Sequence, residues 1–326
     1  MKVPPIIGAD LSKKTIDFYF ADSQSHLCIH NNIRGFKKMT NWLKSLKVDI
    51  SEVMIVMEHT GLYGYLLEEF LHSADISFAK VNAVEIKRSI GMVRGKSDKI
   101  DAARIADYGI RCFQKLRPSK KPSASMKQLQ LLHSTRDRLV KQKASLQCSI
   151  KEYRNIGLKP TDHVMKSQLQ ILRALQKEIK NLDQAIKKTI ASDEEISRNV
   201  TLLKSVKAVG DVLAVATVIK TDNFQKFTNG RKFSCFCGTA PFEHTSGTSI
   251  RSKPRVSHLA DKSMKTLLDL SAKCGIVHDP ELKEFYRRRL EAGKSKMSTI
   301  NVVRNKIIYR MFAVIKRGTP FQQLAA

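Results

Sequence analysis

Residues 6–20 read IIGADLSKKTIDFYF, and this stretch decides the class of fold to expect. Ile6 to Leu11 is a short apolar run that carries one acid, Asp10, near its end. Ile16 to Phe20 then alternates apolar and polar residues, which is typical of a strand. His26 to Asn31 is predicted to return antiparallel after a polar turn at residues 22–25. Three strands are therefore expected first, with no crossover helix between them.

The next segments alternate helix and strand patterns. Apolar residues recur at helical spacing from Phe36 to Leu46, and Val53 to Met57 is a continuous apolar run of the kind found in a parallel sheet. A helix at Leu62–His72, a strand at Ile76–Val81 and a helix at Val84–Ile90 follow. The order βββαβαβα predicts a mixed sheet with flanking helices.

The rest of the chain has a different character. A Pro/Ser/Lys-rich linker occupies residues 117–125. Leucines seven apart (Leu132, Leu139, Leu146) and a second apolar stripe from Leu172 to Ile186 predict a helical hairpin or coiled coil. The fold class is thus α/β plus α, in three segments: an α/β domain at 1–116, linker and hairpin at 117–195, and a mainly helical domain at 196–326.

The charge balance points to a polyanionic partner. The 326 residues contain 58 Lys and Arg against 30 Asp and Glu, a formal net charge of +28, while 42% hydrophobic residues are enough for packed cores. The first residues lack the pattern of a secretory signal, and no window is apolar enough for a membrane helix. Of six cysteines only Cys235 and Cys237 are close together, so reduced, mostly buried thiols are expected rather than a zinc site.

Four acids occupy positions where such a sheet would bring them together. Asp10 ends the first strand, Glu58 follows the Val53–Met57 run, and Asp98 and Asp101 share one face of a helix. Carboxylates in this arrangement are suited to two Mg²⁺ ions at a phosphodiester. For each acid alone a surface charge remains an alternative, and Asp98 would also serve as a helix cap.

These residues resemble a known family. Gly8-Ala9-Asp10, Glu58-His59-Thr60-Gly61-Leu62-Tyr63 and Lys96-Ser97-Asp98-Lys99-Ile100-Asp101-Ala102 are similar to the signature blocks of the DEDD transposases of the insertion-sequence family one-ten, relatives of the Piv DNA invertases. The resemblance implies a RuvC-like N-terminal domain of the RNase H fold. It also assigns Asp10, Glu58, Asp98 and Asp101 as catalytic metal ligands for Mg²⁺, with Mn²⁺ as a substitute.

A second block carries the resemblance into the C-terminal region. Residues 238–247 read GTAPFEHTSG, similar to the family's G-x-x-P block followed by S-G. The resemblance makes Ser246 a nucleophile, with Ser249 and Thr248 as nearby competitors. From the residues alone the block reads as a Ser/Thr/Gly loop.

The family implies a mechanism and partners. Its members are recombinases that assemble as dimers and tetramers on DNA, guided by a bridge RNA that pairs with donor and target duplexes. A cytoplasmic, nucleoid-associated bacterial protein is therefore expected, without a membrane partner. A RuvC-like endonuclease that uses water as nucleophile and a non-enzymatic packaging protein are the alternatives.

The basic residues supply the candidate nucleic-acid contacts. A dense C-terminal set, from Arg287-Arg288-Arg289 through Lys294, Lys296, Arg304 and Lys306 to Arg310, favours a polyanion groove. The residues assigned to nucleic-acid binding are Lys87, Arg88, Arg94 and Lys96, together with Arg251, Lys253 and Arg255, expected in a basic loop.

Overall fold

A computed structural model describes residues 3–91, 95, 97–246 and 250–322, with the backbone alone at 90, 243–246 and 250–253. The chain divides into two compact units between Lys121 and Pro122, within the Pro/Ser/Lys-rich segment. The helical hairpin belongs to the second unit.

The first unit is a five-stranded mixed sheet with helices. Its sheet order is β3-β2-β1-β4-β5; β1, β2 and β3 are antiparallel, and β4 and β5 run parallel to β1. The predicted order of elements and the mixed sheet are confirmed, whereas the RNase H assignment stays a prediction. The elements are β1 (Ile6–Leu11), β2 (Thr15–Phe20), β3 (Ser25–His30), α1 (Ile33–Ser45), β4 (Met54–Glu58), a 3₁₀ turn (Gly61–Gly64), α2 (Tyr65–Ser73), β5 (Ser77–Val81), α3 (Ala83–Ile90), α4 (Asp98–Arg111) and a 3₁₀ turn (Phe113–Lys115).

Alternation along the strands divides the unit into two apolar layers. On one face, residues such as Ile7 and Ile55 pack with Phe36 of α1 and Leu67 of α2. On the other face a layer that includes Val56 packs with residues of α3 and α4. Asp10 is on the α4 face, because it is two residues from Gly8, which lies against α4.

Gly8 permits an unusually close approach between β1 and α4. A Cβ added at Gly8 would lie 2.1 Å from the carbonyl oxygen of Ala102 and 2.4 Å from the backbone nitrogen of Ala106. Farther along, a Cβ at Gly109 would lie 2.8 Å from Cγ2 of Ile6. The small residues let the helix rest almost directly on the strand, with its N-terminus at the Asp10 end.

Gly8→Ala is expected to destabilise the first unit by about 3 kcal/mol, because the new methyl group meets backbone atoms that cannot move independently of α4. Urea unfolding measures the change. Gly210→Ala is the control, since nothing lies within 4 Å of a Cβ at that position. Equal stability of the Gly8 variant and the wild type would show that α4 does not lie this close to β1.

The second unit is mainly helical and contains one β-hairpin. The predicted helical hairpin is formed by its first two helices, which are joined by Arg136 Nε donating to Asp183 Oδ1 at 2.5 Å. Its core includes buried Val218, Val303 and Ile307. The elements are α5 (Ala124–Asn155), α6 (His163–Ala191), α7 (Glu194–Ser205), α8 (Asp211–Thr221), α9 (Gly230–Phe236), β6 (Pro241–Ser246), β7 (Ile250–Val256), α10 (Lys262–His278), α11 (Pro280–Glu291) and α12 (Lys296–Arg317).

The predicted basic loop at residues 251–255 is wrong, because these residues lie in strand β7, which pairs antiparallel with β6. Pro254 and the charged residues conceal the strand pattern. The register shifts between Phe242 and His244, so the stretch with Pro254 lies at an irregularity where a ladder hydrogen bond is not required.

Two further features bear on the expected environment of the protein. Cys28, Cys148 and Cys274 are exposed, which corrects the expectation of mostly buried thiols; they lie on β3, an edge strand, and on α5 and α10. Within the described part of the chain, none of the helices combines the length and apolar composition needed to cross a bilayer.

Candidate active site

Asp10 and Glu58 lie side by side at the same edge of the sheet. The parallel register pairs Gly8 with Val56 and Ala9 with Met57, so the next positions along the two strands are Asp10 and Glu58. Both residues are half-buried. The ends of two neighbouring parallel strands therefore place two carboxylates next to each other, as the sequence pattern predicts.

The first turn of α4 adds two more carboxylates near this edge. Ser97 is the N-cap, and its Oγ accepts from the backbone N–H of Ile100 at 3.3 Å. Asp98 therefore does not cap the helix, but it is exposed, so the alternative of a surface charge stays open for it. Asp98 and Asp101 lie in the first turn, where the helix dipole favours negative charge.

The pKa of Asp10 is raised by its burial and by the neighbouring acids. Burial, the largest cause, acts together with the charges of Asp101, Asp98, Glu58 and Asp17, in that order, to raise the pKa of Asp10 to about 6. An acid crowded by like charges favours a bound proton or cation over the bare carboxylate. The site is thus a cluster of acids in which positive charge is stabilised.

The four carboxylates are suitable ligands for a hard cation, but they do not converge on a single point in this structure. Among the side chains that the structure describes, no three His, Cys, Asp or Glu groups lie close enough together to share an ion. Asp101 instead accepts from Arg104 Nη1 at 2.8 Å, and the same guanidinium donates to the carbonyl oxygen of Gly95 at 3.0 Å. Oδ1 of Asp101 is therefore already paired with a cation of its own helix.

Asp17 is a further acid beside Asp10 that the sequence pattern does not indicate. It lies directly opposite Asp10 in the β1–β2 pair and is only 7% exposed. His26 Nε2 donates to its Oδ1 at 2.7 Å, and the thiol of Cys28 donates to its Oδ2 at 3.6 Å. The register of the β1–β2 hairpin was the signal available, since a turn centred on residues 13–14 pairs position 10 with 17.

Ser246 is the last residue of β6 and pairs with Ile250 of β7. Its backbone is described but its side chain is not, and its competitors Thr248 and Ser249 lie outside the described residues. Within the described residues the serine block thus contributes strand β6, paired with β7, so Ser246 lies in a strand and not in the irregular loop that the composition suggests.

The base of this hairpin is clamped onto α12. The amide groups of Asn301 and Asn305 both donate to the carbonyl oxygen of Thr239, at 2.7 and 2.9 Å. The buried hydroxyl of Thr239 donates to Oδ1 of Asn305 at 2.6 Å. Beside it Gly238 has φ +66°, and a Cβ there would lie 2.5 Å from that of Ala260. The strand that ends at Ser246 therefore starts from a rigid anchor.

Asn305→Ala is expected to lower the free energy of unfolding by about 2 kcal/mol, because it removes one donor from the Thr239 carbonyl and the nearer of the two acceptors of its buried hydroxyl. Asn301→Ala removes its bond to the Thr239 carbonyl and the longer bond that its Oδ1 accepts from Arg304 Nη1 at 3.3 Å, and should lower the free energy of unfolding by a similar amount. Asn181→Ala, on the exposed side of α6, is the control for both in urea unfolding. Equal effects of all three variants would contradict the clamp.

The assigned nucleic-acid contacts are only partly visible. Lys87 and Arg88 are exposed on α3, and Arg255 is exposed on β7. Arg94 and Lys96 lie outside the described residues, and for Arg251 and Lys253 the structure describes the backbone alone.

The expected polyanion groove requires a correction within α12. Arg304 is buried and paired with Asp269, and Arg310 Nη1 lies 2.6 Å from Oδ2 of the buried Asp279. Lys306 is 3.9 Å from Glu281. Arg304 and Arg310 thus compensate Asp269 and Asp279, because charges buried in a helical core require partners, whereas Lys306 and Glu281 form a partly exposed pair.

Comparison with known families agrees with this architecture. Residues 7–153 match the model of the IS110 DEDD transposases, described as a transposase, and residues 200–287 match the transposase IS116/IS110/IS902 family. The chain carries both domains of the IS110-family transposases. The first match contains Asp10, Glu58, Asp98 and Asp101, and the second contains Ser246.

Full-length relatives support the same class for this IS110-family chain. The pilin gene-inverting proteins of Moraxella bovis and Moraxella lacunata are each 25% identical to it over 331 residues, covering 97% of this chain and 97% of the relative. The two transposase matches make the protein a DNA-processing enzyme of the transposase class, with DNA as substrate.

Proposed function

We propose that the protein is an RNA-guided DNA recombinase that cleaves and rejoins strands through a covalent phosphoserine intermediate at Ser246. The raised pKa of Asp10 supports a catalytic site at this sheet edge, because the charges of four other acids contribute to the rise. Carboxylates held against their mutual repulsion are typical of a functional site.

The reaction conserves the energy of the broken bond. Ser246 Oγ attacks a backbone phosphorus, one new P–O bond replaces one strand P–O bond, the serine proton is released, and the departing strand oxygen takes up a proton. The hydroxyl of a second strand end then attacks the phosphoserine and restores the serine. Mg²⁺ bound by the four carboxylates would polarise the phosphate and lower the charge on the leaving oxygen.

Three further parts of the proposal rest on the family resemblance and the charge. A bridge RNA pairs with donor and target DNA, while the protein binds the phosphate backbone of the nucleic acids. Homodimers assemble into a tetramer in which the serine of one subunit acts at the carboxylates of another. The positive charge is concentrated in residues 122–326, which have 38 basic against 17 acidic residues, compared with 20 against 13 in residues 1–121. Sequencing the RNA that co-purifies with the protein tests the guide.

The decisive experiment is to trap the protein–DNA adduct. Wild-type protein, its co-purified RNA and end-labelled DNA carrying the flanks of the element are incubated with Mg²⁺ or EDTA and separated under denaturing conditions. A Mg²⁺-dependent labelled protein band supports the proposal. Cleaved DNA without any protein-linked label would instead favour a RuvC-like endonuclease that uses water. If neither cleaved DNA nor an adduct forms, the result would favour the packaging role.

A further inference from the structure

An exposed apolar cluster lies immediately after the β4 carboxylate. Leu62 is 76% exposed, Tyr63 49%, Tyr65 41% and Leu66 50%, so four large apolar side chains face solvent within five consecutive residues. In the other described segments, exposed side chains of this kind are more widely spaced along the chain. A dense patch of this type marks a binding surface more often than a scattered one does.

Contacts from Asn31 and Leu11 hold this cluster at the sheet edge that carries Asp10 and Glu58. Asn31 Nδ2 donates to the carbonyl oxygen of Tyr63 at 2.9 Å and to that of Ser12, two residues after Asp10, at 3.1 Å. A Cβ added at Gly64 would lie 3.3 Å from Cδ2 of Leu11. The turn that carries the tyrosines is thus packed on the end of β1 at Leu11 and Ser12, at the same sheet edge as Asp10 but against the layer of α1 and α2.

We propose that Tyr63 and Tyr65, with Leu62 and Leu66, form a platform on which an unpaired nucleotide of the DNA strand stacks beside the scissile phosphate. The inference rests on the proposed function, because it assumes that DNA is cleaved at the Asp10 edge. Aromatic rings accept any base face, and stacking requires no sequence readout. A protein partner on the same surface would cover the approach to Asp10 and Glu58, which favours a nucleotide as occupant.

The test uses a single-stranded oligodeoxynucleotide with one 2-aminopurine, whose fluorescence falls when the base stacks. Titration of the full-length protein in Ca²⁺, which avoids turnover, should quench the signal. The Tyr63→Ala/Tyr65→Ala double variant should lose most of the quenching and bind roughly tenfold more weakly. Tyr63→Phe/Tyr65→Phe should behave as wild type, because the ring faces remain. Tyr309→Ala is the matched control, since Tyr309 is 50% exposed but lies on α12.

The outcomes separate this inference from the proposed function. Quenching that depends on the two rings and persists in Asp10→Asn supports the platform whether or not an adduct forms. An adduct in the wild type together with unchanged quenching in the Ala double variant would overturn the platform alone. If the Ala double variant keeps DNA stacking but changes the oligomer mass on sizing, the patch binds a second copy of the chain. If it keeps DNA stacking but loses binding to an RNA oligonucleotide, the patch binds RNA. Either result would reject the inference.

Discussion

Ser246→Ala is expected to abolish the covalent protein–DNA adduct and lower recombination on the order of 10⁴-fold or more, while DNA binding stays within about twofold. The alanine keeps the backbone of β6 but removes the oxygen that forms the bond to phosphorus. No neighbouring group takes its place, since a nucleophile must be aligned with the phosphate to within a fraction of an ångström. The adduct is measured on denaturing gels and its attachment site by mass spectrometry.

Ser249→Ala is the matched control, because it removes a serine hydroxyl three residues farther along the chain. It should retain the adduct. If Ser249→Ala loses the adduct and Ser246→Ala retains it, the nucleophile is Ser249, and cleavage that survives in both variants without an adduct would indicate water as the nucleophile.

Asp10→Asn is expected to have opposite effects on activity and stability. Adduct formation should fall on the order of 10³-fold, because the site loses a central anionic ligand. The metal-free protein should become more stable at pH 7.5 by about 1 kcal/mol after discounting for the half-exposed carboxylate, or roughly 4 °C in Tm.

The pH dependence follows from the raised pKa of Asp10. In the unfolded chain the carboxyl ionises near its ordinary value of 3.8, whereas in the folded protein its pKa is about 6. The folded state binds more protons between these values, so the stability of the wild type falls as pH rises from about 4 to about 6 and stays lower above. Asp10→Asn lacks this loss, and the two proteins should converge near pH 4.

Thermal unfolding without divalent ions, from pH 4 to 8, measures this difference. Asp75→Asn, an exposed acid in the same unit, is the control and should follow the wild-type curve. Adding Mg²⁺ should raise the Tm of the wild type above pH 6 more than that of Asp10→Asn. A variant that is less stable than wild type at pH 7.5 would contradict the repulsion inferred at this edge.

The first unit was predictable because its strands carry strong local patterns. The run from Ile6 to Leu11, the alternation from Ile16 to Phe20 and the run before Glu58 each appear within a few residues of sequence, and the structure has a strand at each. Strand β7 was missed because Arg251, Lys253 and Pro254 resemble a loop. A two-stranded hairpin tolerates both charge and proline, since its outer edges need no ladder partners.

Local sequence established the order of the elements, the acids at the ends of β1 and β4 and in the first turn of α4, and the positive charge. Periodicity and capping act over one or two turns of chain, so they can be read without the fold. The pairing of Asp17 with Asp10, the engagement of Asp101 by Arg104 and the clamp of Asn305 on Thr239 emerged from the folded chain. The raised pKa of Asp10 and the placement of Tyr63 beside Ser12 belong with them. Most of these features join different elements, and all depend on side-chain positions, burial and charge that packing sets.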